Sequence, residues 1–364
     1  MLKFEIKKLF NIYSLIGIAF VLLLTVVQIY MQYNAGISIG LVNSSYHFKG
    51  RELIDRNREI ADSFSGKVMD DQFFAEFDAA VLRSIESDGN GNFNAKGSLQ
   101  MSSLYQLYGK LRTSEYESLG VAATDMDSVF GNDKPVFYYT DNWKVMRSII
   151  SSVQLLLIFA GCIIAAPLFS KEYADGMTQI IHTMPNGKFK FAYIKIAAAF
   201  ILVTFLYIAI IGLIILCVGA IWGFHNPFAD VRVMTNAAYI TMNDSISCTQ
   251  LISIQILIGY FATVSVSAIA ALCSAIIPKT TATLVISLAF VALPKIVPFE
   301  TATSTALQKF ITLTPVNSIN LLTATWSIHD HSLLVIWLFI GISFLLTVIC
   351  CTASAFFYSK HKIA

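Results

Sequence analysis

Charge is what this sequence has least of. Asp, Glu, Lys and Arg make up 13% of its 364 residues, about half the share a water-soluble domain carries. With 56% hydrophobic residues, such a chain is not disordered and fits poorly into a single soluble domain. The net charge of +2 supplies no global basic field, so nucleic acid is not an expected partner. No G-x-x-x-x-G-K-[ST] phosphate loop occurs, so the chain does not cradle ATP by that route. No H-E-x-x-H occurs either, which removes zinc-type membrane proteolysis. The six cysteines (Cys162, Cys217, Cys248, Cys273, Cys350 and Cys351) contain no C-x-x-C pair and mostly fall in apolar runs. A disulfide scaffold or zinc site is therefore disfavoured. None of the six histidines (His47, His182, His225, His329, His331, His361) lies well inside an apolar run, so serine chemistry within a bilayer would lack its base. The expectation is a chain that is not an enzyme and carries no metal or cofactor of its own.

Long apolar runs are what it has instead. About 20 apolar residues, rising about 1.5 Å each, cross roughly 30 Å of hydrocarbon. Six stretches qualify or nearly do: about Ile12 to Tyr33, Ser148 to Phe169, Phe191 to Trp222, Gln250 to Pro278, Thr280 to Pro298 and Ser332 to Tyr358. The fifth is the weakest, since it contains Pro294 and Lys295. The uncharged first run exceeds a signal-peptide core and has no small-x-small cleavage site, which favours an uncleaved anchor. Together with 27 Phe, 15 Tyr and 4 Trp, the runs predict an all-α polytopic membrane protein of six transmembrane helices with a mostly helical extracytoplasmic insert.

Lysines fix the expected orientation. Lys3, Lys7 and Lys8 precede the first run; Lys171, Lys188 and Lys190 lie between the second and third; Lys279 lies between the fourth and fifth; Lys360 and Lys362 follow the sixth. With six crossings all of these share one face, which the positive-inside rule makes the cytoplasm. Both termini are then cytoplasmic, and the expected location is a bacterial plasma membrane. The segment between Asn34 and Arg147 carries 12 basic and 16 acidic residues, a net of −4 against +6 for the remainder. Acidic outside and basic inside is the translocation pattern.

The chain divides accordingly into residues 1–33 (cytoplasmic start and first span), 34–147 (extracytoplasmic domain) and 148–364 (spans two to six). Within the domain, Phe73, Phe74, Phe77, Val81 and Ile85 recur at helical spacing behind Asp70 and Asp71, which can cap that helix. Leu99, Leu104, Leu107, Tyr108 and Leu111 suggest another helix, and Val136 to Thr140 has strand character. Residues 299–331 contain an uncharged polar run, Phe310 to His329, that suits a re-entrant or interfacial hairpin on the outer side.

The cytoplasmic loop at 170–187 is the most informative stretch. Tyr173, Met177, Ile180, Ile181 and Met184 fall at offsets 0, 4, 7, 8 and 11, opposite Lys171, Glu172, Asp175 and Gln179. That pattern predicts an amphipathic helix of about three turns. Pro185-Asn186-Gly187 ends it. Such a helix lies on the membrane surface or docks in a groove of a partner.

The run Glu172-x-x-x-Gly176, then Pro185, Lys188 and Lys195, resembles the corresponding loop in the membrane subunits of type-2 ABC exporters. In detail the likeness covers about 30 residues; the six-span plan extends it loosely to the whole chain. The resemblance implies a coupling helix that fits a cleft on a separate ATP-hydrolysing subunit, with Glu172, Tyr173, Gly176, Met177, Ile180, Pro185 and Lys188 as the coupling positions. ATP and magnesium would be bound by that ABC ATPase partner. A second permease copy, or a related permease, would complete the path. An extracytoplasmic domain between the first two spans occurs in a subset of the family. The resemblance implies export of a peptide or other amphipathic, lipid-like cargo, with antimicrobial peptide export or immunity as one role.

The span centres contain no charged residue, which places ion-coupled transport behind an externally powered pump. Thr204, Gln255, Ser265, Ser287 and Thr347 could line a cargo path. Small hydroxyl residues more commonly hydrogen-bond across helix contacts. Asp88 to Asn94 imitates a calcium loop but places Phe93 where Gly is needed and Leu99 where Glu is needed. His329 and His331 lack third and fourth metal ligands. The rival reading is a membrane sensor whose outer domain binds a ligand and signals through a cytoplasmic partner.

Overall fold

The structure is a computed structural model, and its described residues are 2–9, 12–35, 37–40, 45–85, 130, 133–183, 188–234, 245–296, 314–317 and 332–360. The chain starts with a two-turn helix α1 (Leu2–Leu9) and a long apolar helix α2 (Ile12–Asn34). An antiparallel ribbon follows, β1 (Ile37–Gly40) and β2 (Ser45–Phe48), with Ile37 opposite Phe48. Next come α3 (Gly50–Phe64) and α4 (Asp71–Ile85). The remaining helices are α5 (Asp141–Ala165), α6 (Pro167–Ala174), α7 (Thr178–Thr183), α8 (Phe189–Trp222), α9 (Cys248–Ile276), α10 (Thr280–Ile296) and α11 (Ser332–Lys360). A 3-10 turn at Val231–Val233 sits between α8 and α9.

Five helices are long and apolar enough to cross a membrane: Ser14–Asn34, Asp141–Ala174, Phe189–Trp222, Cys248–Ile276 and Ile336–Lys360. The weak fifth run is a shorter apolar helix, Thr280–Leu293. The second and third of the five have 34 residues each, about 51 Å at 1.5 Å per residue, so both outrun a hydrocarbon layer of roughly 30 Å. Their ends must therefore meet polar surroundings, and both functional regions described below lie at those ends.

Helix α9 is the hub, packing most extensively on α11 and α5 and also on α6, α8 and α10. Its buried face is built from small residues, among them Ala262, Ser267, Ala270, Ala271 and Ser274. Small side chains let backbones approach where lipid supplies no hydrophobic drive between helices. Gly161 of α5 shows how closely: a Cβ there would stand 2.4 Å from Ser267 Oγ. At Gly259 a Cβ would stand 2.1 Å from Gln154 Nε2. The N-terminus of α9 is closed by a capping box, in which Ser247 Oγ accepts from Gln250 N (3.2 Å) and Gln250 Oε1 accepts from Ser247 N (3.0 Å).

The segment between α2 and α5 has its own aromatic centre. Phe73, Phe74 and Phe77 of α4 pack with Phe64 and Phe137. Asp70 Oδ1 accepts from Phe73 N at 2.8 Å, capping α4 as its sequence indicates. The strand character at Val136 to Thr140 reduces to a single bridge, Val68 with Val136. The ribbon forms at 37–48 instead. The loop at 88–94, the apolar positions from Leu99 to Leu111, His329 and His331, and all but 314–317 of the outer hairpin lie outside the described residues.

Candidate functional site

Proline dictates the start of the site. Pro167 has no N–H and its ring presses on the preceding turn, so α5 must break at Ala166. Inside a bilayer a break survives only if neighbouring side chains take up the freed backbone groups. The amides of Phe169 and Ser170 both donate to Ser274 Oγ of α9, at 2.9 and 3.0 Å, and Ser170 Oγ donates back to Ala166 O at 2.9 Å. The chain thus continues as α6, and span two runs from Asp141 to Ala174.

Gly176 dictates the end. Its φ of +66° is the left-handed conformation that glycine adopts without penalty. Met177 N donates to Glu172 O (3.0 Å) and Gly176 N to Tyr173 O (3.2 Å), the paired bonds of a Schellman stop. The spacing Glu172-x-x-x-Gly176 therefore has a structural cause: the glutamate stands in the last turn and the glycine just beyond it. This corrects the expected single three-turn helix. The loop is two short helices, α6 and α7, with Asp175–Met177 between them. Glycine inside an apolar helical pattern is a stop signal, and that signal outweighs the periodicity here.

The break separates the predicted coupling residues into two groups. Gly176, Met177 and Ile180 are exposed, and Lys188 is exposed at the start of α8. Glu172 is the opposite, with 1% exposure. It is no surface contact position. Tyr173 is half-buried and donates its hydroxyl to Ala275 O of α9 at 3.0 Å. Pro185 lies outside the described residues.

Glu172 is the centre of a buried lock. Its Oε1 lies 2.5 Å from Lys195 Nζ of α8 and 3.0 Å from Lys8 Nζ of α1. Its Oε2 accepts from Tyr358 OH of α11 at 3.2 Å. Lys195, only 2% exposed, also donates to Leu168 O at 2.8 Å and lies 3.8 Å from Glu5 Oε2. The rings of Phe191 and Phe169 stand 5.3 and 5.7 Å from its ammonium, close enough for cation–π attraction. An unpaired ammonium in this position would be prohibitively costly, so each partner offsets the burial of the others. Together Glu172 and Tyr173 connect α6 to α1, α8, α9 and α11. Tyr358 further stacks against Phe169 (4.7 Å) and meets the His182 ring edge-on (5.1 Å), which brings α7 to the same point.

A second polar layer lies within the bundle. Gln154 Nε2 of α5 donates to Gln255 O of α9 at 2.7 Å, and Tyr207 OH of α8 donates to Ile256 O at 2.7 Å. Gln255 Nε2 donates to Ser151 Oγ at 2.6 Å. Of the candidate path residues, Gln255 is thus tied between helices. Thr204 Oγ1 meets Tyr260 OH at 3.1 Å. Ser265, Ser287 and Thr347 return their hydroxyls to their own helices, at Ala262 O, Thr283 O and Ser343 O. Gln255 and Thr204 thus bond across helix contacts, whereas the other three bond within their own helices.

The opposite end of the bundle uses arginine and amide groups. Arg51 NH1 donates to Ile221 O (3.1 Å) and Arg58 NH2 to Trp222 O (2.9 Å), so α3 caps the C-terminus of α8. Positive charge is favoured there because the last carbonyls of a helix are unpaired and its dipole is negative at that end. Asn142 Nδ2 donates to Gly223 O and His225 O, both at 3.2 Å, and Trp143 Nε1 donates to His225 O at 2.6 Å. Burial, and then the Arg58 charge, holds the His225 imidazole below the ordinary histidine range. Arg232 pairs with Asp230 (2.7 Å) and Asp133 (2.9 Å), fastening the turn before α9 to the chain that enters α5.

Sequence reading missed the lock because Glu172, Lys195, Lys8 and Glu5 each look like an ordinary charge beside a span. The available signal was Lys195 itself, seven residues into an apolar helix and beyond easy reach of water. No protein-family model matches the chain and no curated protein matches it, so the role of this lock is to be read from its own chemistry.

Proposed function

We propose that this chain is the membrane subunit of an ATP-driven exporter, working with a separate ABC ATPase and a second permease copy or a related permease. In this reading the chain crosses six times, with α10 as the short fifth, so that the lysine-rich end and both termini would face the cytoplasm of a bacterial cell and the 34–147 segment the outside. The cargo class is a peptide or another amphipathic, lipid-like molecule, as the neutral interior suits.

One observation carries the reading. The exposed Met177 ends the turn that follows span two and the exposed Ile180 stands on the short helix α7 after it, and span two is fastened by Glu172 to α1, α8 and α11. A partner gripping Met177 and Ile180 would push on a helix that cannot move without its neighbours. That is a lever, and the chain lacks a phosphate loop of its own to drive it.

The test is co-purification from the native membrane with companions identified by mass spectrometry. An ABC ATPase should accompany the wild-type chain and be lost from Met177→Glu and Ile180→Glu, whose exposed positions leave folding intact. Recovery of a sensor kinase instead, or of the ATPase at full yield with both variants, would overturn the proposal.

A further inference from the structure

Beside the lock a cleft opens between α1, the α5–α6 junction and α8. Lys8, Lys171 and Lys195 line it with Glu5 and Glu172, and Leu168 forms part of its apolar wall. We propose that this cleft holds the phosphodiester of an anionic phospholipid headgroup.

Charge is the first argument. Three ammonium groups face two carboxylates, an excess of one positive charge, which a phosphodiester monoanion would balance. Lys195 is consumed by Glu172, Glu5 and Leu168 O. Lys8 spends one donor on Glu172 and retains 27% side-chain exposure. Lys171 is exposed and makes no ion pair among the described residues. An ammonium has three donors, so the mouth of the cleft has donors to spare.

Depth is the second argument. Ile201, Phe205 and Ile208 form an exposed apolar stripe on α8, and below them on the same side stand exposed Tyr193 and Lys190. Tyrosine and lysine at the foot of an apolar stripe mark the headgroup level. Lys195 is two residues from Tyr193, about 3 Å along the helix axis, so the cleft sits at that level. The third argument is α1, which buries Glu5 and Leu9 against the bundle while exposing Phe4 between Lys3 and Lys7. An exposed aromatic flanked by lysines is the pattern of a helix resting in an anionic interface. These features select a lipid over a soluble anion, and they do not rest on the exporter reading.

The experiment uses the purified full chain in neutral detergent, titrated with phosphatidylglycerol, phosphatidylcholine or inorganic phosphate. Native mass spectrometry reads bound lipid and thermal unfolding reads stabilisation. Phosphatidylglycerol should bind and raise the unfolding temperature, and the other two should not. Lys171→Gln, an exposed position, should weaken phosphatidylglycerol about fivefold. Lys8→Gln should weaken it comparably, while Lys49→Gln in the segment between α2 and α5 should leave it unchanged. Unaltered phosphatidylglycerol binding by both Lys171→Gln and Lys8→Gln, or equal stabilisation by inorganic phosphate, would overturn the assignment.

Discussion

Lys195 and Arg58 each fasten helix α8, at opposite ends and by different chemistry. At the lysine-rich end the partners are side-chain carboxylates, sealed from water, with Glu172 and Lys195 almost fully buried. At the arginine end the partners are backbone carbonyls of a helix terminus, reached from an arginine that is only partly buried. The first arrangement is all or nothing, because removing one ion strands another in a place that cannot solvate it. The second is graded, since water can replace part of what is lost. A lock that transmits motion needs the first kind, whereas a lid over a helix end can use the second.

The largest effect should therefore come from the lysine end. Glu172→Ala leaves Lys195 without its main partner and should cost about 3–5 kcal/mol in unfolding measurements in detergent. The pair Glu172→Leu with Lys195→Met should recover most of that stability. Under the lever proposal, transport should fail in the double variant all the same. Full loss of stability in the double variant would mean that packing, not charge, dominates there.

At the arginine end, Asn142→Ala removes a fully buried donor shared by two part-buried carbonyls and should cost about 1–3 kcal/mol. A cost equal to that of Glu172→Ala would erase the proposed contrast. Smaller than either, and confined to the turn between α6 and α7, is the effect of Gly176→Ala. Nothing lies within 4 Å of a Cβ at Gly176, so its cost is conformational alone, roughly 1 kcal/mol. A larger loss would show that the α6–α7 turn is held by more than its backbone.

The smallest effect is pH dependence at His225. Its folded imidazole titrates below the ordinary range, so the folded state binds a proton less readily than the unfolded chain. The associated stability is complete above the usual histidine value near 6.5 and is lost as pH falls through the lower folded value. Thermal unfolding from pH 8 to pH 5 should show a downward drift that His225→Gln abolishes. A drift unchanged in that variant would assign it to the carboxylates instead.

Much of the scaffold was legible in the residues. Apolar length marks α2, α5, α8, α9 and α11, and Asp70 announces the cap of α4. Span boundaries were less legible: the second run was read as ending near Phe169, whereas α6 carries it past the Pro167 break, stitched by Ser274 across to α9, as far as Ala174. The ribbon at 37–48 was missed since four-residue strands leave little periodicity to count.

What the sequence by itself determined is where the chain is apolar and where its lysines gather, since hydropathy and charge are sums over neighbours in the chain. The helix that the spacing carried through Gly176 to Pro185 stops instead at that glycine, whose backbone turns left-handed. Only the tertiary structure decided that Glu172, Lys195, Lys8 and Tyr358 are one object. Those four come from four helices, and a charge beside a span looks the same in sequence whether it faces water or another charge. Burial made the difference: once the helices close, each ion has only the others to satisfy it.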